Sequence, residues 1–353
     1  MSRYLATRLR ALTPYVPGEQ PQDMQYVKLN TNESPYPPSA KAREYAKEAA
    51  DKLMLYPDPD YVLLRNKLAE LYQVSPDQII VGNGSDEILN FAFAAYGESG
   101  VVYPDISYGF YPVFGQLYSL DCQEIPVDEN LRINPKDFCA VHKAVFIANP
   151  NAPTGQVLQR ADIEQILKTN PNNVVIIDEA YVDFGAESMV PLIKTYDNLL
   201  VVQTFSKSRS FAGARFGFGI AAASLITDLN TIRCSTNPYN VSRVTAAAAL
   251  GALEDEAYTK ENCAKIIETR TAVTANLRSR GFTVLDSSAN FIFVRHPEID
   301  GETLYRALKA HGVLVRHFTK PKIAAYNRIT IGSPDQMDRL IAELDKIMQE
   351  VSA

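Results

Sequence analysis

From about residue 40 to 225 the chain alternates helical patterns with short, uninterrupted apolar runs: QIIVG, VVYP, AVFIAN, VVIIDEA and LLVVQTF. Unbroken β-branched runs of this kind suit parallel strands covered on both faces, with intervening helices such as Arg160–Lys168 making the crossovers. The pattern predicts an α/β domain with a mostly parallel sheet. Residues 1–38, rich in Pro, Tyr and Asn, read as an irregular arm. After about residue 240 the texture changes. An Ala-rich helix over Ser242–Leu253 and a long amphipathic helix over Tyr258–Arg280 lead into strand TVLDSSANFIFV, helix Glu302–His311, and strands VLVRHF and RITIG. The last helix carries a capping box, Ser333 with Gln336 three residues on, and an apolar stripe of Met337, Leu340, Ile341, Leu344 and Ile347. A second, smaller α+β domain follows from these elements.

Polar groups collect where the predicted strands end. In a parallel α/β sheet ligands bind beyond the carboxyl ends of the strands. AVFIA runs into Asn149-Pro-Asn-Ala-Pro-Thr-Gly155, VVII ends in Asp178-Glu-Ala-Tyr181, and LLVVQTF ends in Ser206-Lys207. QIIV runs into Gly82-Asn-Gly-Ser-Asp86 and then a helix. Asp178 follows four aliphatic residues, where burial of a lone carboxylate is costly, so it reads as an anion awaiting a cation. A protonated pyridine nitrogen at about 4 Å would attract it by on the order of 4 kcal/mol at an effective dielectric of about 20. Lys207, just past a buried strand on the same sheet edge, suits a nucleophile toward an aldehyde. Arg215 lies between Gly213 and Gly217, which allow close backbone approach. The GNGSDE turn offers backbone N–H groups and the positive end of a helix, enough for one phosphate. Asp86 and Glu87 are expected to turn their carboxylates away from that phosphate and toward the helix dipole. One aldehyde-reactive lysine, one buried anion and one phosphate cradle describe pyridoxal 5'-phosphate.

Composition narrows the remaining choices. At 353 residues a chain of roughly two to three domains with a sizeable core is expected. Lys plus Arg less Asp plus Glu is 35 − 41 = −6, a poor footprint for nucleic acid. The four cysteines are scattered without a CxxC pair and read as free thiols in a reducing compartment; the four histidines are equally dispersed, so no metal site is expected. No apolar run reaches the roughly 18 residues of a membrane span, and a cytoplasmic location is expected. A nicotinamide dehydrogenase is disfavoured because the third glycine of GxGxxG is missing, and GK[ST] of a P-loop is absent as well.

NPNAPTG, DEAY and SKSRSFAGAR, in that order, resemble the fold-type I pyridoxal-phosphate-dependent aminotransferases of subgroup I. PYVPGE, KLNTNESPYPPS, LYPDPD, VGNGSDEI, YPDISYGFYPVF, SANFIFV, GVLVR and NRITIGS extend the resemblance end to end and bring it closer to the histidinol-phosphate aminotransferases.

That resemblance implies a large cofactor-binding domain over 39–255, a small domain over 256–353, and an arm, 1–38, packing with the small domain and a partner subunit. It implies transfer of an amino group from L-histidinol phosphate to 2-oxoglutarate, giving imidazole acetol phosphate and L-glutamate, a step of histidine biosynthesis. Aromatic-amino-acid aminotransferases and a threonine-phosphate decarboxylase share the motifs and stand as alternatives. Tyr15, Tyr108 and Tyr111 would suit an aromatic ring as well as an imidazole. A silent, DNA-binding version of the fold is not expected, because the Pro-rich arm has no room for a helix-turn-helix.

The resemblance also implies roles. Lys207 would carry the cofactor as a Schiff base and shuttle the substrate's proton; Asp178 would pair with the ring nitrogen; Tyr181 would hydrogen-bond the ring hydroxyl. Tyr108 would stack on the ring. Gly84, Ser85, Ser206 and Arg215 would hold the phosphate, with Asp86 in the same turn and Tyr56 reaching in from the other subunit of a homodimer with shared sites. Arg328 would bind the substrate's anionic end, helped by Arg316, Tyr15 and Asn32. One departure stands out: the family's Asn before Pro-Thr-Gly is Ala152 here, and Asn151 is the residue expected to take its place at the ring hydroxyl.

Overall fold

The computed structural model describes residues 2–352. The N-terminal arm is mostly irregular, with a single 3-10 turn at Thr7–Leu9 and a two-residue strand, β1 (Val27–Lys28). Seven strands then build the large sheet: β2 (Ile79–Gly82), β3 (Val101–Pro104), β4 (Cys122–Ile125), β5 (Ala144–Ala148), β6 (Val175–Asp178), β7 (Leu199–Thr204) and β8 (Gly217–Ala221). Their order is β2-β8-β7-β6-β5-β3-β4, and β8 alone runs antiparallel to its neighbours. The apolar runs are continuous because both faces of the sheet are covered. Val145, Ile147, Val175, Ile177 and Val201 enter one apolar layer, while Ala144, Phe146, Ile176, Leu200 and Val202 enter the layer on the opposite face. Side chains alternate between faces along a strand, so a doubly covered sheet requires apolar residues at every position.

The small sheet is β9 (Thr283–Val284), β10 (Phe291–Arg295), β12 (Arg316–His317) and β13 (Asn327–Thr330), in the order β12-β13-β10-β9. The run TVLDSSANFIFV thus divides into two strands around a Ser-Ser-Ala-Asn bend, and VLVRHF divides into β11 (Val313–Leu314) and β12. Strand β11 leaves the sheet to pair in parallel with β1, which fastens the arm to this part of the molecule. The last helix, Pro334–Ser352, starts as its capping box predicts: Ser333 N–H donates to Gln336 Oε1 at 2.9 Å and Gln336 N–H to Ser333 Oγ at 3.4 Å. A further apolar cluster joins this helix and the small sheet to Leu29, Ala152, Tyr181 and Phe184. Leu29 comes from the arm and the others from loops at the carboxyl ends of β5 and β6, so the edge of the large sheet faces the small one.

Candidate active site

Strand register sets the geometry. Ala148 pairs with Asp178, and Asp178 with Val202, so β5 and β6 end level, β7 runs on to Thr204, and their loops leave side by side. Those loops, with the start of the helix Ser85–Tyr96, enclose a cavity of about 100 Å³. Ser85, Asp86, Tyr108, Asp178, Tyr181, Ser206, Lys207 and Arg215 line it, together with Ala152 and Ala180.

Asp178 ends β6 inside this cavity and is 4% exposed. Oδ1 accepts the Ala180 N–H at 3.1 Å and Oδ2 the Tyr111 hydroxyl at 3.3 Å. Among the described residues no cation lies within ion-pair distance of its oxygens. Burial therefore pushes its acid up to about 7, with the Asp86 charge adding to the rise. Lys207 Nζ lies 5.8 Å over the Tyr181 ring and 3.5 Å from the Thr31 carbonyl oxygen, without a carboxylate partner.

Two glycines shape the other end. Gly84, at φ +81°, lets the Arg215 guanidinium lie against its backbone, where a Cβ would stand 2.6 Å from Nη2. Gly217, paired with Gly82, lets β8 approach the turn, where a Cβ would stand 2.3 Å from the Ser85 nitrogen. Gly213, by contrast, has open space around it and no close approach to serve. Arg215 donates to Ser206 Oγ at 3.4 Å and to Asp86 Oδ2 at 2.9 Å. Here the structure corrects the expectation for Asp86. Its carboxylate does not turn away but enters the cavity, drawn by Arg215 and by the Tyr108 hydroxyl, which donates to Oδ1 at 2.6 Å. Glu87 behaves as the helix dipole requires, accepting the Asn83 N–H at 2.7 Å.

A wider cleft of about 730 Å³ shares Tyr108, Ala152, Tyr181 and Lys207 with the cavity and adds Tyr15, Asn32, Arg316 and Arg328. Arg328 reaches it from β13. Its Nη2 donates to the Asn30 carbonyl at 3.1 Å, its guanidinium lies 5.3 Å from the Phe291 ring centroid, and its buried Nε has no partner. Burial presses this cation below its ordinary pKa, and among the described residues no carboxylate neutralises it. Arg316 donates instead to the Val16 and Pro17 carbonyls of the arm, which places Tyr15 stacked on Phe110 at 4.3 Å.

Three sequence expectations change, those for Asn151, Asn32 and Tyr111. Asn151 does not face the cavity. Its amide donates to the Ile106 carbonyl at 2.9 Å and accepts the Ser107 hydroxyl, and it borders a separate cleft with Arg132, Gln156 and Ser287. Ala152 takes the cavity wall instead. Asn32 lies on the cleft wall, but its amide is bound to Tyr181 and Thr330. Tyr111 is fully buried behind Asp178 and does not line the cleft. Tyr56 is 76% exposed and stacks on Tyr239 at 4.5 Å, away from this protomer's cavity. Thr330 had no signal in the sequence. Tyr111 had a faint one, its position at the start of a helix three residues after Tyr108.

With the geometry in place, residues 24–344 match the model of the family "Aminotransferase class I and II". The chain belongs to the class I and II aminotransferases. Among relatives in this family, a histidinol-phosphate aminotransferase of Marinomonas sp. is 50% identical over 350 residues, covering 98% of this chain and 99% of that one. Another, from Acinetobacter baylyi, is 47% identical over 97% of this chain and 96% of its own. The histidinol-phosphate aminotransferase of Sinorhizobium meliloti, solved in complex with pyridoxal-5'-phosphate, superposes with a TM-score of 0.84 at 25% identity, covering 92% of this chain and 91% of that one. An aminotransferase fold of type I, with its mainly parallel central sheet, accounts for where the cavity lies: at the carboxyl ends of β5, β6 and β7.

Proposed function

We propose that this aminotransferase moves an amino group between L-histidinol phosphate and 2-oxoglutarate, acting in the cytoplasm as a homodimer with pyridoxal 5'-phosphate as cofactor. The observation that carries the substrate assignment is Arg328: a half-buried cation without a carboxylate, on the wall of the cleft that also holds Lys207. A guanidinium offers the same planar fork to a phosphate monoester and to a carboxylate, which lets donor and acceptor use one site in turn.

The residues present fit the cofactor. Asp178 is a buried acid lacking a cation, which a protonated ring nitrogen would supply. The Gly84–Ser85 turn, Ser206 and Arg215 form a cradle that Cβ atoms at Gly84 and Gly217 would fill, suited to the phosphate. Tyr181, Tyr108 and Lys207 line the same cavity, where Tyr181 would meet the ring hydroxyl, Tyr108 the ring face and Lys207 the aldehyde. When bound, the cofactor supplies the electron sink that loss of the substrate's α-proton requires. Lys207 Nζ, the cavity's amine, would take that proton and return it in the second half of the transfer. Asp178 would carry a negative charge opposite the protonated ring nitrogen. Tyr108 and the arm residue Tyr15 line the cleft in which the substrate would sit.

The homodimer follows from the exposed run Leu53, Met54, Leu55 and Tyr56, each more than half exposed, beside Leu63 and Tyr239. Such a patch calls for a partner, and Tyr56 has no part in its own cavity.

The test is to offer purified protein histidinol phosphate, phenylalanine and threonine phosphate separately, each with 2-oxoglutarate, and to measure glutamate. Glutamate from histidinol phosphate is the expected result. Glutamate from phenylalanine alone would replace the assignment with an aromatic-amino-acid aminotransferase, and carbon dioxide from threonine phosphate with a decarboxylase.

A further inference from the structure

We propose that Asn32 is a positioning residue that aims the Tyr181 hydroxyl into the cavity, making up for the donor that Ala152 lacks. The proposal rests on the reading that this cavity binds pyridoxal phosphate.

The argument starts at Thr330. Its Oγ accepts the Asn32 backbone N–H at 2.9 Å, which directs the hydroxyl's one proton to Asn32 Oδ1 at 3.1 Å. With the oxygen side of the amide so occupied, the NH₂ side must face Tyr181, whose hydroxyl oxygen it reaches at 2.9 Å. Asn32 is held firmly in this pose. It is 1% exposed, its carbonyl accepts from Asn290 Nδ2 at 3.0 Å, and its φ of +56° suits Asn better than most residues.

An amide nitrogen accepts no proton. The Tyr181 oxygen therefore accepts from Asn32, and its own proton must leave in another direction. Among the described residues Tyr181 has no second hydrogen-bond partner, and the space it lines is the cavity. The charged groups that share its surroundings are Lys207, 5.8 Å over the ring, Arg328 across the cleft, and Asp86, Asp178 and Arg215 on the cavity lining; among the described residues neither carboxylate is hydrogen-bonded to the Tyr181 oxygen. The cavity wall opposite is Ala152, which has no polar side chain, and the neighbouring Asn151 amide is engaged at Ile106 and Ser107. Tyr181 is thus the one side-chain donor at this corner, and Asn32 fixes its direction from behind.

Asn32→Asp tests this, because it keeps the shape and exchanges a donor for an acceptor. The carboxylate takes the Tyr181 proton and turns it away from the cavity. The readout is the pH midpoint of the visible absorption of purified, cofactor-loaded protein, which reports hydrogen bonding at the ring hydroxyl without turnover. We expect Asn32→Asp to raise that midpoint by about one pH unit, a tenfold change. Tyr181→Phe should raise it at least as much, and the double variant no further than Tyr181→Phe alone. Adding Ala152→Asn to Asn32→Asp should bring the midpoint back down.

A midpoint unmoved by Asn32→Asp, while Tyr181→Phe moves it, overturns the proposal. So does simple addition of the two shifts. If circular dichroism shows Asn32→Asp unfolded, Thr330→Val serves instead: it frees the amide to rotate and should give a smaller rise, and no rise overturns the proposal. Wild-type protein that gains no visible band with pyridoxal phosphate would remove the cofactor reading itself, and this inference with it.

Discussion

The Tyr111 hydroxyl donates to Oδ2 of Asp178 across 3.3 Å, and both side chains are buried, Tyr111 behind Asp178 at the end of β6. This neutral donor is one of two that meet the carboxylate, the other being the Ala180 N–H. Neither supplies a charge. The cofactor-free site therefore holds an acid whose proton is retained by burial, and the site becomes electrostatically complete only when a cation arrives.

A pH dependence of stability follows. In the folded, cofactor-free protein Asp178 titrates at about 7, well above the ordinary 3.8 it regains on unfolding. Between these values the unfolded chain has lost the proton and the folded one keeps it, so rising pH favours unfolding until the folded group has ionised. Replacing Asp178 by Asn removes that dependence. Relative to wild type, cofactor-free Asp178→Asn should gain stability from pH 5 to 8, by on the order of 2 to 4 kcal/mol in urea unfolding. A difference between the two proteins that stays flat with pH would contradict the buried acid. Adding cofactor should reverse the ranking, since Asn leaves the ring nitrogen without a counter-charge.

Among the described residues Lys207 makes one weak hydrogen bond, to a carbonyl 3.5 Å away, and no ion pair. Its removal should cost the fold little. Lys207→Ala is expected to unfold within about 1 kcal/mol of wild type, the usual range for a side chain outside any core or network. It should gain no visible absorption band when mixed with pyridoxal phosphate, and transfer no amino group. A band of wild-type position and intensity in this variant would show that another amine carries the cofactor.

Much of this was legible in the sequence because the same burial that makes β5, β6 and β7 apolar on both faces also makes each polar residue at their ends conspicuous. Asp178, Lys207 and Arg215 stand out for that reason. Side-chain direction was less legible where it depends on partners remote in the chain. Asp86 turns inward because Arg215 arrives from 129 residues later, and Asn151 turns outward because Ile106 and Ser107 meet it from a separate loop. Strand β8 was hidden in the glycine-rich FGFGIA, where residues without side chains obscure the apolar signal. Tyr56 lies on neither the cavity nor the wider cleft, and nothing in its own sequence neighbourhood fixes which surface it meets.

Arg328 should separate binding from chemistry. Its guanidinium is held by the Asn30 carbonyl and by the faces of Phe291 and Phe318, at the far side of the cleft from the reacting atoms. Lysine at this position keeps the charge but loses the fork. Arg328→Lys is expected to raise KM for both substrates by roughly tenfold to a hundredfold, about 1.4 to 3 kcal/mol for charge-assisted hydrogen bonds, with a smaller change in kcat. A purely structural arginine would lower the melting temperature and leave KM unchanged, and that outcome would move the anion site elsewhere.

Gly213 and Gly217 offer an internal control, since they flank Arg215 in the same loop and differ in what a methyl group would meet. At Gly217 the added carbon lands 2.3 Å from the Ser85 nitrogen and 2.6 Å from the Gly84 carbonyl carbon. Both are backbone atoms pinned by the pairing of β2 with β8, so neither can move without opening the turn. Gly217→Ala should therefore cost about 1 to 3 kcal/mol in overpacking and weaken retention of pyridoxal phosphate on dialysis. At Gly213 nothing lies within 4 Å and φ is not positive, so Gly213→Ala should bind cofactor as wild type does. Equal loss of cofactor by both variants would mean that flexibility of the loop, and not the close approach at Ser85, is what the glycines provide.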